Sequence, residues 1–215
     1  MDPSHARKCT KPEIEATTST ILKETYPDGI TIPIDIDRLA EGNDRVDDIV
    51  PIPDLEETFG VAAVLSLKSN GCVDILVDQD TLDFRRARAS FSIAHELAHV
   101  VLHYQVFEGC RTVQDSVDLN KRIRRAYSSI ERAANHFAGA VLIPRRQILG
   151  DTARIYEFLV KTGGYNTRLD RNQISATLAQ RYKVNVEPMS IRLDELGVFK
   201  KIQTCLLYKS PFLDL

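Results

Sequence analysis

Cysteine is scarce and scattered in this chain: Cys9, Cys72, Cys110 and Cys205 are the four in 215 residues, and no two form a C-x-x-C pair. That spacing argues against a disulfide framework and a cysteine-type zinc site, and predicts free thiols in a reducing compartment. Long apolar runs are missing as well. The longest nearly apolar stretch, Gly60 to Leu67, falls far short of the roughly 20 residues that a membrane-spanning helix needs. The opening residues Met1-Asp2-Pro3-Ser4-His5 lead into no apolar segment of the secretory kind, so a cytoplasmic location with no membrane partner is expected. Neither sign of charge dominates. The net charge of −2 argues against bulk attraction to nucleic acid or an anionic membrane, while leaving room for a local patch. Internal repeats and low-complexity segments are also lacking. What is present, 43% apolar and 27% charged residues, is ordinary globular composition with enough chain for one substantial core or one domain plus an appendage.

Local signals divide the chain. Thr10-Lys11-Pro12-Glu13 reads as a capping box with an early proline, opening a helix that Pro27-Asp28-Gly29 stops. Asp35 to Ala40 reads as a short helix with Gly42 just past its end. Three extended runs follow, Arg45 to Ile52, Val61 to Leu67 and Val73 to Val77, the last two flanking an Asn70-Gly71 hairpin signal. A long helix is expected from about Leu82 to Tyr104, with Phe91, Ala94, Leu97, Ala98, Val101 and Leu102 forming its apolar stripe. Glu108 to Asn120 reads as a polar loop, and Lys121 to Ile143 as one helix closed by Pro144. Helices over 152–162, 172–182 and 186–196 and a final strand over 202–208 complete the reading, with the 163–171 stretch the best place for a subdomain boundary.

The long helix carries His95-Glu96-Leu97-Ala98-His99. Two histidines four residues apart project from one face, one turn apart. Both imidazoles can then reach a single Zn²⁺ at about 2.0–2.1 Å. Glu96 sits beside the first histidine, where its carboxylate can take a proton from water acidified by the ion. Chance would produce this pentapeptide on the order of once in a hundred chains with so few histidines.

A catalytic zinc of this kind needs a third protein ligand. Leu102 and Gln105 stand where the metzincin extension would need glycine and histidine, which removes that class. His103 shares the phase of His95 and His99 but lies two turns, about 12 Å, along a straight helix from His95. Glu131 is the better candidate, at the head of a segment of small apolar residues suited to close helix packing, with Asn135 one turn on to hold a ligand imidazole. Glu108, Asp115 and Asp118 remain as alternatives in the expected loop.

The run Phe91 to His99 with Leu102-His103, followed by Glu131 and Asn135-His136-Phe137-Ala138 through Leu142-Ile143-Pro144, resembles the ImmA/IrrE family of metallopeptidases. The likeness covers roughly Asp35 to Pro144 and fades in the C-terminal helices. It implies an α+β zincin-like domain over 1–165, with a small antiparallel sheet packed on the motif helix and a helical part over 166–215. It also implies one Zn²⁺ (Mn²⁺ is the alternative ion) on His95, His99 and Glu131, with Glu96 as general base. Its expected partner is a helix-turn-helix transcriptional repressor cleaved at one site. Family members typically carry a second acidic residue where Ala133 stands, a departure that leaves Glu131 untouched. Tyr127, His136 and Tyr104 are candidate donors to the developing oxyanion.

Other features point elsewhere. Arg85-Arg86-Ala87-Arg88 and Lys121-Arg122-Ile123-Arg124-Arg125 are basic clusters, read first as solvated helix faces and second as docking sites. Ile174 to Phe199 has helix-turn-helix rhythm, yet its second helix is poor in base-reading side chains. A DNA- or repressor-binding regulator, or the toxin of a toxin–antitoxin pair, is therefore the alternative to a peptidase.

Overall fold

The Thr10 signal is met in full in the computed structural model, which describes residues 7–126, 128–162 and 169–208. Helix α1 (Lys11–Thr25) starts on a complete capping box: the Thr10 side chain accepts from the Glu13 amide, and the Glu13 carboxylate accepts from the Thr10 amide at 2.8 Å. These bonds to Thr10, with Arg7 alongside, pull the Glu13 carboxyl down to about 2. Helix α2 (Ile36–Glu41) is capped by Asp35, whose carboxylate accepts from the Arg38 amide.

Strand β1 (Val46–Ile52), a short helix α3 (Leu55–Phe59), and strands β2 (Ala63–Leu67) and β3 (Val73–Asp78) follow. Strands β2 and β3 form the expected antiparallel hairpin, with Leu67 opposite Val73 and Gly71 at φ 88° in the turn. The sheet order is β1-β3-β2, and β1 runs parallel to β3. The sheet is therefore mixed, a correction to the antiparallel expectation. A hairpin signal governs only the two strands that it joins; β1 adds to the free edge of β3 in the direction that the α3 connection dictates.

Asp78 caps α4 (Gln79–Phe84), and Arg85, at φ −130° and ψ 50°, separates it from α5 (Arg86–Phe107). The expected motif helix is thus two helices. The expected polar loop is mostly helix α6 (Val113–Ala126). Its start is set by the Asp115 carboxylate, which accepts from the Thr112 amide and hydroxyl, and Ser116, Val117, Leu119, Asn120 and Ile123 are buried at helical spacing. The polar Ser116 and Asn120 among them hid the periodicity. Within the span read as one helix over 121–143, helical residues run to Ala126 and again over α7 (Ser128–Leu142), and Tyr127 between them lies outside the described residues.

In the first compact unit, ending at Leu142, α5 lies against β2, β3 and α7, and α1 packs on α7. Ile93, Leu97 and Val100 on α5, and Leu65, Ile75 and Val77 on the sheet, are all essentially buried. Each such side chain contributes roughly 2 kcal/mol, which together fix the orientation of α5.

The second compact unit begins at Ile143 and is helical: α8 (Arg145–Thr162), α9 (Leu169–Tyr182), α10 (Val186–Glu195) and α11 (Val198–Tyr208). Within this unit α8 packs with α9 and α11. The final strand expected over 202–208 is overturned, since α11 occupies it and buries Val198, Phe199 and Ile202 at helical spacing. The buried Asp151 carboxylate accepts from Arg181 at 2.8 Å, the Tyr182 hydroxyl at 2.9 Å and Arg154 at 3.0 Å, joining α8 to α9. Among the described residues no helix is long and apolar enough to cross a membrane.

The Glu13 carboxyl titrates lower in the folded chain than in the unfolded one, so its contribution is present above about pH 4.5 and lost as pH falls toward about 2. Urea unfolding should therefore show Glu13→Gln less stable than wild type at pH 6, with the difference closing by pH 2.

Candidate metal centre

The sequence His95-Glu96-Leu97-Ala98-His99 lies wholly within regular helix, and its intervening residues Leu97 and Ala98 are buried. With those positions turned inward, His95 and His99 share another face. Helix α7 packs on α5, and Ala94 and Ala98 on α5 and Ala134 and Ala138 on α7 are all buried. This approach brings Glu131, in the first turn of α7, to the two imidazoles.

The resulting geometry is convergent. His95 Nε2 and His99 Nε2 are 3.1 Å apart, and the Glu131 carboxylate oxygens lie 3.6 Å from the first and 3.4 Å from the second. Four ligands at the 2.0–2.1 Å of a tetrahedral zinc site stand about 3.3–3.4 Å from one another. The two imidazoles already stand near that spacing from each other, each has a different Glu131 oxygen near it, and one ligand atom from each of the three residues lies within 4.8 Å of the others. Two imidazoles and one carboxylate also match the donor chemistry of a catalytic zinc with an open fourth position. His99 is fully buried, while His95 and Glu131 keep partial exposure, 15% and 13% of their side chains, which leaves an approach from solvent.

Asn135 stands where the sequence reading put it. Its amide oxygen accepts from His95 Nδ1 at 3.1 Å, so that Nδ1 carries the proton and the Nε2 lone pair faces the other donors. Glu96 is buried, 4% exposed, directly after His95. His103 is also buried, and burial pushes its imidazole down to about 4, with His99 and His95 adding to the effect and Glu131 opposing it. His103 is not part of the convergent group.

The remaining candidates are placed elsewhere. Asp115 caps α6, and Asp118 accepts from Gln114, one turn earlier on that helix. The Tyr104 hydroxyl donates to the Gly71 carbonyl at 2.6 Å, and His136 Nε2 lies 3.2 Å from a Glu15 carboxylate oxygen on α1. Tyr127 falls outside the described residues. Of the basic clusters, Arg85 and Arg88 pair with Glu56, and Arg86 pairs with Asp37. Lys121 and Arg122 are exposed on α6.

An ion held by these three residues would depend on Asn135 for the tautomer of His95. Asn135→Ala should weaken zinc binding about 10- to 100-fold, measured by competition with a chromogenic chelator, without unfolding the protein.

Comparison with known proteins adds an independent finding. Residues 83–194, just over half of the chain, match the family model of a peptidase family, described as the IrrE N-terminal-like domain. No curated protein matches the chain. The matched span contains His95, Glu96, His99, Glu131 and Asn135. The chain belongs to the IrrE N-terminal-like peptidase family, the ImmA/IrrE metallopeptidases.

Proposed function

We propose that this protein is a zinc-dependent endopeptidase that cleaves a cytosolic helix-turn-helix repressor, with His95, His99 and Glu131 as metal ligands and Glu96 as general base. The observation that carries the reading is the convergence of two imidazoles and one carboxylate, from two helices, at separations of 3.1, 3.4 and 3.6 Å. When bound, the ion supplies Lewis-acid polarisation of the scissile carbonyl and lowers the pKa of water toward about 7.

The protein's own groups do the rest. Glu96, buried beside His95, accepts the proton of the attacking water and then delivers it to the departing amine, so that no net proton is gained or lost by the carboxylate. Asn135 accepts from His95 Nδ1 and so leaves the Nε2 lone pair free to hold an ion. The partial exposure of His95 and Glu131 supports a site that a polypeptide can reach. The donor set favours zinc over manganese, since two imidazoles are softer than the oxygen ligands that manganese prefers.

DNA binding is the weaker reading. Helices α9 and α10 are joined by a short turn with Lys183 at φ 53°, in keeping with the helix-turn-helix rhythm. The exposed positions of α10, however, include Glu187, Asp194 and Glu195 together with Val186 and Ile191. Asp194 is paired with Arg171, and no basic side chain is exposed on α10 itself to release the counterions of a phosphate backbone. The paired arginines at the start of α5 are likewise charge-compensated.

The test is incubation of the protein with the repressor encoded beside its gene, followed by mass mapping of products. One new terminus should form, vanish on chelation and return with zinc. Glu96→Gln should bind zinc normally while cleaving at least about 10³-fold more slowly. Undiminished cleavage by a zinc-loaded Glu96→Gln protein would overturn the mechanism.

A further inference from the structure

His99, His103 and Phe107 follow one another at four-residue intervals on α5. Eight residues of regular helix advance about 12 Å along the axis, so the first and last of these should not touch. Yet the His99 and Phe107 ring centroids are 4.7 Å apart with their planes inclined by 38°. That is closer than the 5.6 Å between His99 and His103, its nearer neighbour in sequence. The cause is local. His103 has φ −135° and ψ 19°, outside the helical region, so the last turn of α5 departs from the axis and returns Phe107 to His99. All three side chains are buried, at 0%, 4% and 2% exposure for His99, His103 and Phe107.

The break is also anchored. Tyr104, the next residue, donates its hydroxyl to the Gly71 carbonyl in the β2–β3 turn at 2.6 Å. The Arg45 guanidinium lies 4.5 Å from the centre of the Tyr104 ring. The chain just past the break is thereby tied to the β2–β3 turn.

We propose that Phe107, brought back by the break at His103, is a positioning residue for the ligand His99. The χ2 torsion of histidine is broad, so a bare imidazole on a helix samples many ring orientations. A ligand imidazole needs one of them. Asn135 sets the ring of His95 through a hydrogen bond, whereas the Phe107 ring sets His99 by contact, in the rotamer that directs Nε2 toward His95 and Glu131. The Tyr104 anchor extends this support to the hairpin turn. The proposal rests on the metal-centre reading given above.

Two variants of the full chain test it, Phe107→Leu and Tyr104→Phe, with two readouts. The first is zinc affinity by chelator competition, expected to fall about 10- to 100-fold in Phe107→Leu and by a smaller factor in Tyr104→Phe. The second is independent of metal: in the zinc-free protein the His99 ring protons should carry a Phe107 ring-current shift in their NMR spectrum that disappears in Phe107→Leu and diminishes in Tyr104→Phe. A folded Phe107→Leu protein with zinc affinity within twofold of wild type and unmoved His99 resonances overturns the proposal. If that variant does not fold, the same result in Tyr104→Phe overturns it. Wild type that binds no zinc, or binds it equally well as His95→Ala, sinks the metal centre itself and takes this proposal with it. Normal wild-type binding with an unaffected Phe107→Leu sinks the positioning role alone.

Discussion

The close packing of α5 on α7 is the constraint on which the site depends. Across this packing His95 and His99 meet Glu131 at 3.6 and 3.4 Å, and alanines at 94, 98, 134 and 138 on the two helices are buried. The sheet presses α5 from another side and α1 packs on α7, so the rest of the first unit serves to keep that approach fixed.

His95, His99 and Glu131 come together in one largely buried place. A divalent cation suits that donor set, because it matches the carboxylate charge and takes the imidazole lone pairs. The arrangement thus reads as one built around an ion, in agreement with the peptidase family to which residues 83–194 match. The second unit is held by a different device, the Asp151 carboxylate accepting from Arg154, Arg181 and Tyr182, and its exposed α10 face lacks the positive charge that nucleic acid would require.

The basic runs show why charge in a sequence is a weak guide to partners. Arg85, Arg86 and Arg88 look like a patch when read along the chain, but Glu56 and Asp37 arrive from elements about 30 and 50 residues away and compensate them. The same distance blindness explains the missed parallel pairing of β1 with β3, whose register is a long-range property.

Read on its own, the sequence determined whatever is encoded by spacing within a few residues. The capping box at Thr10, the β2–β3 hairpin at Asn70-Gly71 and the common face of His95 and His99 all rest on contacts three or four residues apart, and all appear in the structure. Glu131 and Asn135 were also legible, because their one-turn spacing on a helix of small residues marks a packing face. Helix α6 was not, since Ser116 and Asn120 interrupt its buried face and the carbonyl that accepts from the Ser116 hydroxyl lies on β2. Nor was Phe107: a helical period puts it about 12 Å from His99, and only the break at His103, held by Tyr104 against the hairpin turn, brings the two rings together. Local periodicity belongs to the chain; where a helix bends is decided by what the folded protein packs against it.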